Sequence, residues 1–248
     1  MRTYKVIIFD LFDTIVIFNR SQLPATELNG SQINSTSVAV YKVFKKYYNH
    51  VTFDDFYSAF LKSYEEFEEM KRKENLEFHT KERFKLMLDK LNINANSDSN
   101  RFVEEMVLCH MGKIADAMEF PEENRNTLNM LRNRYRLALI SNFDHAPTAY
   151  KIIDRFGIRN FFEKILISIE VGFRKPKADI FQKAFIHLKI KPNDAIFVGD
   201  NFEADVIGSR NVGMDVIWVN KGNEKIKHEI TNPDYEVTKF TEITKILN

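Results

Sequence analysis

Three aspartates in this sequence lie just beyond short apolar runs that are typical of buried strands. Asp10 follows Val6–Phe9, Asp200 follows residues 195–199, and Asp205 comes after four further residues. Because the carboxyl ends of parallel strands meet at one edge of a sheet, we expect these carboxylates to lie close together. Clustered carboxylates repel one another unless a cation binds between them, and a site of few carboxylates with only oxygen ligands favours Mg²⁺. The sequence therefore predicts a magnesium site at this edge.

A hydroxyl and an ammonium group follow two further strand-like runs. Ser141-Asn142 ends the apolar run at 137–141, and Lys175 stands before Pro176 in a segment that leads into a helix. Opposite a bound metal, these groups would suit the non-bridging oxygens of a phosphoryl group. Asp10 would then attack as a carboxylate nucleophile and form an aspartyl-phosphate. Asp10 alone would be equally well explained as a turn cap, so this hypothesis depends on the whole set.

Alternating strand-like and helix-like segments are the pattern that would position these residues. The strand-like segments are short apolar runs between amphipathic helical stretches, at residues 6–9, 137–141, 164–168, 195–199, 216–219 and the start of 235–247. Such alternation predicts an α/β fold in which a Rossmann-like parallel sheet is flanked by helices.

A long helical segment interrupts this alternation after the first strand. Residues 21–37 are polar, with Pro24 and Gly30, and predict a loop that leaves the sheet. From about residue 36 to 120 the hydrophobic period is that of an amphipathic helix, most clearly at 53–67. We therefore expect two domains. Residues 1–17 and 119–248 would form the Rossmann-like core, and residues 18–118 an all-α, helical-bundle cap domain inserted after the first strand.

Composition excludes several classes of protein. The formal net charge of +1 gives no reason to expect nucleic acid or an acidic membrane as a partner. The single cysteine, Cys109, excludes an intramolecular disulfide, fits a reducing compartment and lies in an apolar setting typical of a buried thiol. Asp10 and Asp13 interrupt the first apolar run, and no run reaches about 18 apolar residues, so neither a signal peptide nor a membrane span is expected. We expect a cytoplasmic protein, with its oligomeric state left open.

Taken together, the motifs resemble those of the haloacid dehalogenase-like hydrolases, over essentially the whole chain. The residues that carry the resemblance follow one another in the family's order: Asp10 with Thr14, then Ser141, then Lys175, then Gly199-Asp200 with Asp205. Any one of these motifs is weak evidence, whereas four in the right order and spacing are strong evidence.

The resemblance implies a role for each motif. Asp10 would be the nucleophile, Ser141 with Asn142 would bind the transferring group, and Lys175 would hold the charges of the nucleophile and the phosphoryl group. The acids at 200 and 205 would hold Mg²⁺ directly or through water. The helical insert would be the family's C1-type cap, which closes over the site, excludes water and selects a small phosphorylated substrate.

One position departs from the phosphatases of that family. They carry a second aspartate two residues after the nucleophile, which protonates the leaving oxygen and then deprotonates water, whereas this chain has Phe12. A phenyl group transfers no proton, and general acid–base catalysis contributes roughly 10²–10⁴-fold to the rate. The backbone carbonyl of Phe12 would remain available as a Mg²⁺ ligand, and Asp13 is a candidate substitute acid.

Phe12 leaves three functions open. Dehalogenases of the family typically have an aromatic residue at this position, because a halide leaves without a proton and no Mg²⁺ is required. They also typically replace the acid at the position of Asp200 by serine, whereas this chain keeps it, and unpaired carboxylates would repel an anionic substrate. We therefore expect a Mg²⁺-dependent phosphohydrolase of limited efficiency that favours aryl or acyl phosphates. The alternatives are a metal-independent 2-haloacid dehalogenase and a binding protein without turnover.

Overall fold

The computed structural model describes residues 3–28, 30–94, 99–222 and 232–247 of the chain. The chain separates into two compact units, one formed by Met1–Ile17 with Glu119–Asn248 and the other by Phe18–Met118. Residues 1–2, 29, 95–98, 223–231 and 248 fall within the predicted domain ranges but lie outside the described residues. The assignment of these units as a catalytic core and a cap stays a prediction.

Strands and α-helices alternate along much of the described part of the chain. Its strands are β1 (Val6–Phe9), β2 (Ile17–Phe18), β3 (Ala25–Leu28), β4 (Ser31–Asn34), β5 (Met118–Glu119), β6 (Arg136–Ser141), β7 (Lys164–Ile167), β8 (Ala195–Gly199), β9 (Asp215–Val219) and β10 (Tyr235–Val237). Its α-helices are α1 (Ser37–Phe44), α2 (Phe53–Glu74), α3 (Thr80–Lys90), α4 (Ser99–Asp116), α5 (Glu122–Leu131), α6 (Ala146–Arg155), α7 (Ser168–Val171), α8 (Ala178–Leu188), α9 (Gly208–Asn211) and α10 (Ile243–Ile246).

The first unit is built on a six-stranded parallel sheet with the order β10-β9-β8-β1-β6-β7. Strand β1 lies between β8 and β6, so that Phe9 pairs with Val198 on one side and Leu139 on the other. The chain passes from β1 to β6 and β7 and then returns to β8 on the opposite side of β1. This topology confirms the predicted Rossmann-like sheet, and it places a ligand-binding crevice at the carboxyl end of β1.

The central strands are apolar throughout because both of their faces are covered. Every residue of β1, β8 and β9 is buried, as expected for a parallel sheet packed between helices. On one face Phe181 of α8 contacts Phe197 of β8, with ring centroids 5.7 Å apart. Burying one large apolar side chain contributes roughly 1.5–3 kcal/mol, so the buried residues of β1 hold firmly the strand that precedes Asp10.

The second unit consists mainly of helices. The longest, α2, begins after Thr52, whose hydroxyl oxygen accepts a hydrogen bond from the Asp55 N–H, and it buries a face that includes Phe56, Phe60 and Phe67. These three phenylalanines therefore lie in the core of the unit, whereas Tyr64 of the same helix is 50% exposed. Cys109 on α4 is half-buried rather than buried, and burial raises the pKa of its thiol. None of the helices in the described ranges has the length and apolar character needed to cross a membrane.

The prediction of a loop over residues 21–37 is wrong. Strands β3 and β4 form an antiparallel hairpin in this segment, with Ala25 opposite Asn34 and Leu28 opposite Ser31. An Asn-Gly pair at positions 29–30 of the sequence is a strong hairpin signal, and Gly30 has a φ of 75°, in the left-handed region. The polar composition concealed this signal, and the unit contains a hairpin besides its helices.

A second difference concerns the helical stretch expected between the strand-like runs at 195–199 and 216–219, near residues 204–211. The structure begins it earlier, as a π-helical turn over Phe202–Ile207 that leads directly into α9. Such turns widen a helix locally and occur often at functional sites. In this chain the turn carries Asp205.

Candidate active site

Neighbouring strand ends bring the predicted site residues of β1, β6 and β8 to one edge of the sheet. Asp10 follows β1, and its N–H donates a hydrogen bond of 2.9 Å to the Val198 carbonyl on β8. Ser141 is the last residue of β6, and Gly199 the last of β8. The sequence therefore predicted correctly where these residues lie along the strands.

Three carboxylates meet at this edge. Asp10, Asp200 and Asp205 each offer one oxygen atom, and these atoms lie within 4.8 Å of one another. Asp10 and Asp205 are buried, and Asp200 is half-buried. Magnesium binds oxygen ligands and commonly takes only one or two carboxylates directly, with water completing the shell. The donors present therefore fit a magnesium ion.

Lys175 lies between two of these carboxylates. Its Nζ is 2.7 Å from Asp10 Oδ1 and 2.7 Å from Asp205 Oδ1, and the residue is only 2% exposed. A buried charge of this kind is tolerated only when it is paired. One ammonium balances only one of the three carboxylates, so the cluster has room for further positive charge.

Burial and the short distances between these charged groups shift the pKa values of the cluster. Burial raises the pKa of Asp10, with Lys175 opposing this shift and the carboxylates of Asp205 and Asp200 adding to it. Burial and the carboxylate of Asp205 raise the pKa of Asp200 to about 6. Burial disfavours the charge on Lys175, but Asp10 and Asp205 outweigh it and raise the ammonium pKa. Positive charge at this site would therefore help to keep Asp10 ionised, as a nucleophile must be.

Asn142 fixes the backbone of Lys175. Its Oδ1 accepts a hydrogen bond of 2.8 Å from the Lys175 N–H, and its Nδ2 donates one of 2.9 Å to the Lys175 carbonyl. The peptide bond between Lys175 and Pro176 is cis. Behind this segment lies Gly208, where a Cβ atom would come within 3.0 Å of the Pro176 Cα. The predicted role of Asn142 in binding the transferring group stays a prediction, and the structure gives its side chain a positioning role.

Gly199 is required by the position of Asp205. The Asn201 N–H donates a hydrogen bond of 2.9 Å to Asp205 Oδ2, which draws this carboxylate back over the end of β8. A Cβ atom at Gly199 would lie 2.2 Å from Asp205 Oδ2, a distance no side chain tolerates. The Gly-Asp pair at the end of β8 therefore follows from packing.

Two hydroxyl groups complete the site. Thr14 Oγ1 donates a hydrogen bond of 2.8 Å to Asp200 Oδ1. Ser141 is fully buried, and its Oγ has no hydrogen-bond partner within the described part of the chain. An unpaired buried polar group costs roughly 1–3 kcal/mol, so a ligand oxygen at Ser141 would remove that cost.

Phe12 lies in a tight turn after the nucleophile. The Val16 N–H donates a hydrogen bond of 2.9 Å to the Leu11 carbonyl, and the Asp13 N–H donates one of 2.7 Å to the Val16 carbonyl. The Phe12 carbonyl takes part in neither of these two bonds. The Phe12 ring packs on Phe143, with ring centroids 4.6 Å apart. The carbonyl's role as a metal ligand stays a prediction.

Sequence reasoning missed three residues around the site. Lys221 donates a hydrogen bond from Nζ to the Asp13 carbonyl, Trp218 donates one of 2.8 Å from Nε1 to the Asp200 carbonyl, and Phe143 packs on Phe12. Trp218 and Lys221 lie at or just beyond the carboxyl end of β9, the neighbour of β8. Extending the strand-end rule from β8 to β9 would have found both.

The sheet order and the carboxyl-edge cluster define an α/β protein of the doubly wound class. The family model described as "haloacid dehalogenase-like hydrolase" matches residues 4–213. The chain therefore belongs to the haloacid dehalogenase-like hydrolases, and it is a hydrolase. This confirms the family resemblance found in the sequence.

Similar proteins include two that are named glyceraldehyde 3-phosphate phosphatase. The one from Pyrococcus furiosus is 28% identical over 253 aligned residues, which cover 100% of this chain and 94% of that protein. The one from Methanothermobacter thermautotrophicus is 32% identical over 142 residues, 57% of this chain and 62% of that protein. Among solved structures, a 2-haloacid dehalogenase from Pseudomonas syringae pv. Tomato has a TM-score of 0.70 at 18% identity, covering 99% of this chain and 98% of that chain. This last likeness shows the fold alone.

Proposed function

We propose that this protein is a Mg²⁺-dependent phosphohydrolase that works through an aspartyl-phosphate on Asp10. The observation that carries the proposal is the buried cluster of Asp10, Asp200 and Asp205 with Lys175 in contact with two of the three. Such a cluster is suited to binding a cation together with an anionic phosphoryl group. The two relatives named as phosphatases support the same reaction class.

Each side chain of the site would have its own role in the reaction. Asp10 attacks phosphorus, the bond to the leaving oxygen breaks, and the phosphoryl group is now held on Asp10. Lys175, in contact with Asp10 Oδ1, keeps the nucleophile oriented, and the Ser141 hydroxyl donates to a phosphoryl oxygen. Bound Mg²⁺ supplies positive charge that offsets the carboxylates and the phosphoryl oxygens. Water then attacks phosphorus and the bond between phosphorus and the Asp10 oxygen breaks. The protons of the water leave with inorganic phosphate, and the Asp10 carboxylate is free again.

Phe12 limits which substrates react quickly. Because no carboxyl group stands two residues after Asp10, the leaving oxygen departs without a proton from that position. Aryl and acyl phosphates release stable anions and do not depend on protonation. Glyceraldehyde 3-phosphate, after which the relatives are named, is an alkyl ester, and we expect this chain to hydrolyse it more slowly than an aryl phosphate.

A 2-haloacid dehalogenase is the second candidate, favoured by the aromatic residue at position 12. Halide leaves without a proton and the attack is on carbon, so neither an acid nor a metal is needed. Asp200 and Asp205 weigh against this function, since without a cation they would repel the substrate carboxylate. Halide release from a 2-haloacid in EDTA as well as in Mg²⁺ would establish it, and its absence in both would end this alternative.

The proposed function is tested by the turnover of p-nitrophenyl phosphate with Mg²⁺ and with EDTA. We expect turnover that requires Mg²⁺ and falls by at least about 10³-fold in Asp10→Asn, because the amide is no nucleophile. The matched control is Asp154→Asn, which changes an exposed aspartate of the same unit that pairs with Arg159 and should keep full activity. Turnover in EDTA equal to that in Mg²⁺, or retained by Asp10→Asn, would contradict the proposal.

A further inference from the structure

We propose that Phe12 and Phe143 form an aromatic wall beside Asp10, and that the leaving group of the substrate packs against it. The enzyme would then select phosphates whose leaving group carries a planar apolar surface. This inference rests on the proposed function and deepens it, since it names the class of leaving group.

The two rings come from adjacent strand ends that also carry the site. Phe12 is two residues beyond Asp10, after β1, and Phe143 is two residues beyond Ser141, after β6. Their centroids are 4.6 Å apart with an interplanar angle of 32°. Both residues are half-buried rather than buried, so part of their surface is exposed in the described part of the chain.

Hydrogen bonds hold both segments before any substrate binds. The Phe143 N–H donates to Ser168 Oγ at 2.8 Å, and the Ser168 hydroxyl lies 3.3 Å from the Phe143 carbonyl. The turn that carries Phe12 is closed by its own backbone bonds and by Lys221, which donates to the Asp13 carbonyl. A surface that is fixed in advance loses little conformational entropy on binding, so more of the contact energy becomes affinity.

The position of Phe12 identifies the part of the substrate that would meet the wall. In phosphatases of the family, the side chain two residues after the nucleophile acts on the leaving oxygen. A phenyl group at that place cannot donate a proton, but it offers an apolar contact to whatever is attached to that oxygen. An aromatic pair typically contributes a factor of about 2 to 12 in binding beyond simple area burial.

The test compares 2-naphthyl phosphate with phenyl phosphate in the wild type and in Phe143→Leu. Phenol and 2-naphthol are acids of similar strength, so a difference between the two esters reports packing and not leaving-group chemistry. We expect the wild type to prefer the naphthyl ester by about threefold to tenfold in kcat/KM. The preference should fall towards unity in Phe143→Leu and persist in Phe143→Tyr, which keeps the ring.

A matched control uses another aromatic pair of the same unit. Phe120 and Phe156 are half-buried, with ring centroids 5.9 Å apart, and the guanidinium groups of Arg125 and Arg155 lie over these rings. Phe156→Leu should keep the naphthyl preference of the wild type. A preference that is equal in the wild type and in Phe143→Leu, or that Phe156→Leu also abolishes, overturns the inference.

A binding measurement separates this inference from the proposed function. The affinities of Asp10→Asn for the two esters are measured by calorimetry in Mg²⁺, with and without the additional change Phe143→Leu. A naphthyl preference that requires Phe143 supports the aromatic wall even if the wild type shows no turnover, which would overturn the proposed function alone. The absence of such a preference overturns the wall and leaves the function standing if turnover requires Mg²⁺ and Asp10.

Discussion

At the scale of single residues, the side chain at position 12 determines whether the leaving oxygen receives a proton. A carboxyl group placed there would lie against the ring of Phe143, and an apolar neighbour raises the pKa of a carboxyl group. A raised pKa is what a general acid needs near neutral pH. A carboxyl group at position 12 would therefore have the raised pKa that a general acid needs, and this chain has Phe12 in its place.

We predict that Phe12→Asp raises the turnover of alkyl phosphates such as glyceraldehyde 3-phosphate. The gain should be roughly 10²-fold or more, and smaller for p-nitrophenyl phosphate, whose leaving group needs no proton. Steady-state kinetics on both substrates measures it, with Phe12→Asn as a polar control that transfers no proton. An equal gain in Phe12→Asn, or none in a folded Phe12→Asp, would show that position 12 does not limit the reaction.

Asp10, Ser141 and Asp200 were predictable because each ends or directly follows an apolar strand. Their partners were not predictable in the same way. Asn142 forms hydrogen bonds with the backbone of Lys175, which is 33 positions away in the sequence. Lys221 donates a hydrogen bond to the carbonyl of Asp13, which is 208 positions away. Such contacts depend on which strands are neighbours, and a single sequence gives only strand order along the chain.

At the scale of elements, the turn at residues 11–16 links the nucleophile to the end of β9. Asp13 has a φ of 56°, in the left-handed region, and its carbonyl accepts the hydrogen bond from Lys221. Lys221 also lowers the pKa of Asp200, against the larger effect of burial. One exposed ammonium thus acts on both the turn and the carboxylate cluster.

We predict that Lys221→Met lowers kcat about fivefold and raises the Mg²⁺ concentration needed for half-maximal activity. The hydrogen bond is exposed, so its loss should cost about 1 kcal/mol rather than the value for a buried charged pair. Kinetics at varied Mg²⁺ measures both effects, and Lys221→Arg should restore most of the activity. Lys183→Met removes an exposed lysine from α8 as a control for charge alone. An identical loss in that control would assign the effect to net charge and contradict the prediction.

Elements were predictable where one pattern dominated and were missed where two signals competed. The central strands have uninterrupted apolar runs, and α2 has a clean helical period, so both were found. The β3–β4 hairpin lies in a polar segment, and its Asn-Gly signal was outweighed by composition. The π-helical turn at Phe202–Ile207 has no distinct hydrophobic period, and it brings Asp205 close to Gly199, an approach that the sequence alone does not show.

At the scale of the whole molecule, each of the two units has its own group of buried polar side chains. The carboxylate cluster belongs entirely to the first unit. The second unit has its own buried network, in which Arg83 Nη1 lies 3.2 Å from His110 Nε2 and Thr36 Oγ1 lies 2.7 Å from His110 Nδ1. The Arg83 guanidinium also lies 4.2 Å from the ring centroid of Phe60. This network ties α1, α2, α3 and α4 together.

We predict that Arg83→Met lowers stability without changing the affinity for Mg²⁺. Breaking hydrogen bonds to a buried charged group should cost roughly 2–3 kcal/mol, which corresponds to a fall of about 4–12 °C in Tm for a chain of this size. Thermal unfolding and calorimetric titration of Mg²⁺ measure the two properties. Arg101→Met, at a side chain that is 91% exposed, should change neither. A weakened Mg²⁺ affinity in Arg83→Met would show that metal binding depends on the second unit.

The contact between Trp218 and Asp200 has a practical consequence. Trp218 is the single tryptophan of the chain, its indole N–H donates to the Asp200 carbonyl, and the ring of Phe202 lies 5.1 Å away. Indole emission responds to charge and hydrogen bonding close to the ring. The unlabelled protein thus carries its single indole at the edge of the carboxylate cluster, where cation binding and phosphoryl transfer would alter the local field. Stopped-flow measurement of the indole emission could time these events without any added dye.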